Sequence, residues 1–204
     1  MTDRSVIYMS SKLILETKKR HILEATRALL VGKGLHSLTL DEVAKKAGVA
    51  KGTLFLHYKN KEELLAAAYL DLSDSLESTL KQITESSLNG GVLLQATVEA
   101  ILSYLDTNSD FLLQIGPDRF SGCGPKSCRE LAKKIAGDMG YLSQILDRFS
   151  KSAGVRLKNP QRCACVLFGL CRASLLYRIF VETKETLRDR ASSVVDIFLN
   201  GVQL

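Results

Sequence analysis

Residues 38–61 read LTLDEVAKKAGVAKGTLFLHYKNK, and this stretch leaves the backbone little freedom. Thr39 is an N-cap residue. Glu42, three places on, completes the capping pair, with Leu38 and Val43 spaced as a hydrophobic staple across it. Gly48 then supplies the left-handed conformation that stops the helix. Only Val49 and Ala50 precede a second short segment, Lys51 to about Tyr58, and Asn60 with Glu63 caps a third start. Two short helices joined by so tight a turn must cross at a steep angle, and a third helix is needed to bury their apolar sides.

The chain supplies that third helix upstream. Ile22, Ala25 and Leu29 form one apolar stripe between about Thr17 and Gly32. Residues 1–12 show no periodicity and read as a flexible arm, within which Met9 is a second possible start. Downstream, the pattern predicts a long helix from Asn60 to about Ser86, others over 92–105 and 128–150, and a short one before Pro117. Asn159-Pro160 opens a further helix to about Thr183, and a last one spans 185–199 with Leu187, Ala191, Val194, Val195 and Phe198 on one side. No segment alternates long enough for a strand. The expected fold class is all-α, with a helix-turn-helix head over 13–61 and a helical body over 62–204.

Charge divides along the same line. Residues 1–61 carry 12 Lys/Arg against 5 Asp/Glu, and residues 62–204 carry 16 against 17. The whole excess of +6 therefore lies in the head, which points to a polyanion partner for that end. In a helix-turn-helix the second helix enters the major groove with its N-terminal residues at the base edges. Lys51 then donates to guanine, Thr53 offers a hydroxyl and a methyl, and Gly52 lets the backbone come close. Phe55 lies against sugar or a thymine methyl, His57, Tyr58 and Lys61 face phosphates, and Leu54 points into the core. The helix start at Lys61 adds free N–H groups for a phosphate.

Residues 22–65, and in particular T-x-x-x-V-A-x-x-A-G-V-x-K-G-T-L-x-x-H-Y-x-N-K, resemble the DNA-binding domain of the TetR family of bacterial transcriptional repressors. The resemblance implies a head that grips a double-stranded, pseudo-palindromic operator as part of a homodimer. It also implies a body that binds a small-molecule effector and dimerises through its last two helices. Carried over by position, it assigns DNA contact to Thr39, Lys51, Gly52, Thr53, Phe55, His57, Tyr58 and Lys61. Ala50 departs from the family's Ser or Thr, which removes a cap. Phe55 departs from its Tyr, which removes a hydroxyl.

The body says less about its ligand. Tyr104, Phe111, Phe149, Phe168, Arg172 and Tyr177 are the candidate effector-pocket residues, with Phe120 and Tyr141 as further aromatics. Arg172 and Arg178 interrupt the apolar run 163–180, so that segment reads as a buried helix and not a membrane span. Arg172 and Arg178 are expected in intersubunit or intrahelix ion pairs before contacts to an acidic ligand. Gly169 and Ala173 form a small-x-x-x-small pair suited to close helix approach.

Five cysteines and no export signal predict reduced thiols in a cytoplasmic protein. Cys123, Cys128, Cys163, Cys165 and Cys171 leave a thiol- or metal-responsive regulator as the alternative. No hydrolase, zinc-protease, P-loop or dinucleotide motif is present, so a helical enzyme ranks last. No cofactor is implied.

Overall fold

The computed structural model describes residues 4–115, 124–181 and 186–202. Its helices are α1 (Arg4–Lys33), α2 (Leu40–Ala47), α3 (Lys51–His57), α4 (Lys61–Glu85), α5 (Gly90–Thr107), α6 (Ser109–Gln114), α7 (Pro125–Ala153), α8 (Pro160–Val181) and α9 (Ala191–Val202). No strand occurs among the described residues, as the all-α reading requires. Phe120 and Cys123 lie outside the described residues.

Two helices begin elsewhere than the sequence predicts. α1 starts at Arg4, not near Thr17. Once the packed turns around Ile22 exist as a nucleus, extension costs little, and no proline or glycine occurs between Arg4 and Val31 to stop it. α9 opens through a 3₁₀ turn at Arg188–Arg190. Thr186 and Asp189 set this start: the Thr186 hydroxyl and N–H both donate to Asp189 Oδ2, at 2.8 and 3.0 Å.

The chain forms two compact units, residues 1–71 with 110–131, and residues 72–109 with 132–204. In the first, α1 packs on α2 and α2 on α3, around buried Ile22, Leu30, Leu38, Val43, Leu54 and Leu64. Arg27 of α1 pairs with Asp71 of α4. In the second, α5 packs on α8 and α9, burying Ile101, Leu102, Leu167, Leu175 and Phe198. Arg148 of α7 closes the end of α4, donating to the carbonyls of Ile83 at 2.8 Å, Thr84 at 2.7 Å and Ser86 at 3.0 Å. A cation there meets the negative end of the helix dipole and satisfies carbonyls that have no partner within the helix.

α8 corrects the expectation of a buried helix. Ala164, Leu167, Cys171 and Leu175 are buried at helical spacing, but Val166, Leu176 and Ile179 are exposed, and Phe180 is 83% exposed. The helix is long and apolar enough to cross a membrane by length and composition, with 22% of that span buried. Arg178 pairs with Asp106 of α5, an ion pair between two helices of one chain and not the intersubunit or intrahelix pair expected. Arg172 is exposed.

Candidate nucleic-acid interface

The site is built by its caps. The Glu42 N–H donates to Thr39 Oγ1 at 3.3 Å, and the Thr39 hydroxyl donates to Glu42 Oε2 at 3.2 Å. Lys33 bonds the other Glu42 oxygen, and this bond, ahead of those from Thr39, holds the Glu42 pKa below its ordinary value. At the far end Gly48 has φ 66°. Its N–H reaches Lys45 O at 3.3 Å while the Val49 N–H reaches Ala44 O at 3.0 Å. This doubled closure turns the chain sharply enough for α3 to begin at Lys51. Ala50 makes no side-chain cap.

α3 then sorts its residues by helical spacing. Leu54 is fully buried, and Tyr58, four places on, is also buried. Thr53 and His57 form a half-buried pair beside them. Lys51 and Gly52 are exposed, as are Phe55 at 42% and Leu56 at 86%. The inner face anchors the helix, and the outer one is free for a duplex. A Cβ added at Gly52 would meet no protein atom within 4 Å, so glycine is not demanded here by internal packing. Sequence reasoning passed over Leu56. Its distance of two residues from buried Leu54 was the available signal, because two residues along a helix is the opposite side.

Lys51 Nζ lies 2.8 Å from Asp41 and 5.9 Å from the Phe55 ring centroid. Both partners of the ion pair are exposed, so the pair is worth at most ~1 kcal/mol and yields easily to a phosphate or a guanine edge. His57 is held below its ordinary pKa, first by desolvation and then by the charge of Lys19. Tyr58 is pushed up to about 12 by burial and the nearby Asp71, and its ring centroid lies 6.1 Å from that of His57. Lys61 donates to the Leu35 carbonyl, a bracing role inside the head. The free N–H groups expected at the start of α4 are partly engaged: the Glu63 N–H donates to Asn60 Oδ1 at 2.8 Å, and Glu62 and Glu63 occupy the first turn.

The candidate effector residues are dispersed. Phe111 lies in the first unit; Tyr104, Phe149, Phe168, Arg172 and Tyr177 lie in the second. Tyr177 stacks under the Arg190 guanidinium at 4.7 Å. It lines an open groove of about 260 Å³ with Leu170, Ala173, Arg190, Val194 and Ile197, which the other candidates do not line.

The cysteines also depart from expectation. Cys128 is disulfide-bonded, which corrects the reading of all five as reduced thiols. An odd count leaves room for a pair, and counting does not say which thiols the fold brings together. Cys163, Cys165 and Cys171 are free, and burial pushes the Cys171 thiol up to about 12. No group of three or more metal-ligating side chains forms among the described residues.

Residues 22–68 match the model of the bacterial regulatory proteins, tetR family. Over 167 residues the chain is 38% identical to the uncharacterized HTH-type transcriptional regulator YvkB of Bacillus subtilis, spanning 80% of this chain and 83% of that one. It is 34% identical over 97 residues to the transposon Tn10 TetC protein of Escherichia coli, a match spanning 47% of that protein, about half its length. The fold superposes on the transcriptional regulator FadR of Bacillus subtilis, solved in complex with stearoyl-CoA. The TM-score is 0.74 at 18% identity, covering 90% of this chain and 98% of that one.

Proposed function

The chain belongs to the tetR family of bacterial regulatory proteins, and from that footing we propose that it is a repressor which a small-molecule effector releases from a palindromic operator. The observation that carries the reading is the outer side of α3, where Lys51, Gly52, Phe55 and Leu56 are exposed around a buried Leu54. Lys51 and Thr53 read base edges. Thr39, Gly52, Phe55 and His57 seat the helix on sugar and phosphate. Tyr58 and Lys61 support it from within, consistent with the burial of the first and the Leu35 bond of the second.

The body, residues 62–204, carries dimerisation and the effector. Gly169 and Ala173 are exposed on α8 beside Leu176, Phe180 and, on α9, Ile197. An apolar surface of this extent needs a cover, and a second copy of the same two helices gives a symmetric one. The Tyr177–Arg190 groove then belongs to that contact, not to the effector. Effector binding in the body changes the separation of two heads set about 34 Å apart on the duplex, which weakens both half-sites together. Stearoyl-CoA, named with the FadR structure, is the first compound to screen. The protein acts by binding and not by catalysis, in the cytoplasm where the chromosome lies.

Fluorescence anisotropy with duplexes tiling the protein's own upstream region tests this at two salt concentrations. Saturable binding to one tile, weakened by salt and by Thr53→Ala, is expected. Equal weak binding to every tile, indifferent to Thr53→Ala, is the result against it.

A further inference from the structure

The basic excess of the head is not confined to the helix-turn-helix. Lys18, Lys19 and Arg20 stand together on α1, upstream of the stretch 22–68 that matches the family. Lys19 and Arg20 face Glu16 and Glu24 on their own helix, each at 3.7 Å and well exposed. Contacts of that length and exposure neutralise little. Lys18 is exposed and forms no ion pair with a described carboxylate.

One geometric and one electrostatic observation bear on where Lys18 and Lys19 lie. Lys18 and His21, one turn apart on α1, line a groove of about 370 Å³ whose other wall is Gly48 and Val49, the turn of the helix-turn-helix. At the other end of α3, after desolvation, the charges of Lys19 and, more weakly, Lys18 lower the His57 pKa, with Glu16 opposing them. Lys18 therefore stands beside the turn, and Lys18 and Lys19 lie within electrostatic reach of the end of the recognition helix, within the first compact unit.

We propose that Lys18, with Lys19 beside it, forms a second DNA contact on α1, gripping the phosphates that flank the bases read by α3. This rests on the reading of α3 as a recognition helix. A duplex seated on α3 brings its phosphates toward the cations of this unit, and Lys18 is one that no described carboxylate holds. The contact adds affinity and orientation but no sequence preference, because phosphates are the same at every step.

The test is the salt dependence of binding by the full chain, using the duplex it recovers from a random-sequence pool and a scrambled duplex of equal length. Each phosphate contact contributes about 0.9 to the slope of log K against log salt. Two protomers carrying Lys18→Ala together should therefore lower the slope by about 2. Affinity for the recovered and scrambled duplexes should fall by the same factor, and Lys18→Arg should restore both. Lys81→Ala, removing an exposed lysine in the second unit, serves as the control that changes neither. A Lys18→Ala, Lys19→Ala protein with wild-type helicity and an unchanged slope overturns the proposal while the α3 reading stands. If the unaltered chain prefers no duplex, both are overturned.

Discussion

Asp138, on α7 in the second unit, is 7% exposed, and its Oδ1 is buried with no hydrogen-bond partner among the described residues. Burial pushes its pKa from 3.8 to about 7; the charge of Lys134 opposes that shift, and Glu77 and Asp74 reinforce it. Lys134 itself is held by Asp74 at 2.5 Å and by Glu77, so little of its charge is left for Asp138. As pH rises through the unfolded value the unfolded chain ionises here and the folded one does not. Stability is therefore lost between about pH 4 and pH 7, and the loss levels off above the folded pKa. A shift of about three units corresponds to a ceiling of about 4 kcal/mol, and relaxation around a group near the surface brings this to about 2–4 kcal/mol. Asp138→Asn keeps the shape and removes the ionisation. Urea denaturation followed by circular dichroism should find the variant more stable by about 2–4 kcal/mol at pH 8 and within ~1 kcal/mol at pH 5. A variant less stable than the parent at pH 8 would refute the reasoning. That result would mean Asp138 is ionised and usefully paired with Lys134, and that its removal strands a cation.

Other consequences are as direct. Arg148→Met removes the bonds to the last carbonyls of α4 and should cost about 2–4 kcal/mol in denaturant titration: one hydrogen bond from a charged donor is worth about 1.5–3 kcal/mol, and bonds that share one guanidinium do not add in full. Gly48→Ala meets no neighbouring atom within 4 Å but forces a Cβ into φ 66°, so a loss of about 1–2 kcal/mol is expected purely from the backbone. Asp41→Asn frees Lys51 and should tighten operator binding about two- to fivefold at low salt, measured by anisotropy. His57 starts below its ordinary pKa, and nearby phosphates favour its charged form. Operator affinity should therefore rise as pH falls through its titration, and His57→Gln should flatten that rise.

Much of this was legible in the sequence because it is locally encoded. The α2 cap at Thr39, the stop at Gly48 and the caps at Asn60 and Asn159 are set by contacts within four residues, and each is found. The absence of a cap at Ala50 was equally readable. What depends on distant neighbours was not. Lys61 reads as a phosphate ligand until Leu35 is seen beside it. The Lys51–Asp41 pair crosses the turn, and no spacing rule announces it. Tyr58 shares the type of a contact residue with His57, but its register follows Leu54 into the core. The early start of α1 escaped notice because propagation needs only the lack of a stop signal, and a search for start signals does not register it.

The claim everything else rests on is that α3 reads base sequence as one half of a symmetric pair. Selection from a random-sequence duplex pool with the full chain, followed by sequencing, tests it without any assumption about where the operator lies. The account predicts enrichment of one two-fold-symmetric motif, with half-sites about 10 base pairs apart or a multiple of that. It also predicts that Thr53→Ala relaxes the motif at matching positions in both halves. A pool that stays random, or a motif without symmetry that Thr53→Ala recovers unchanged, would contradict it.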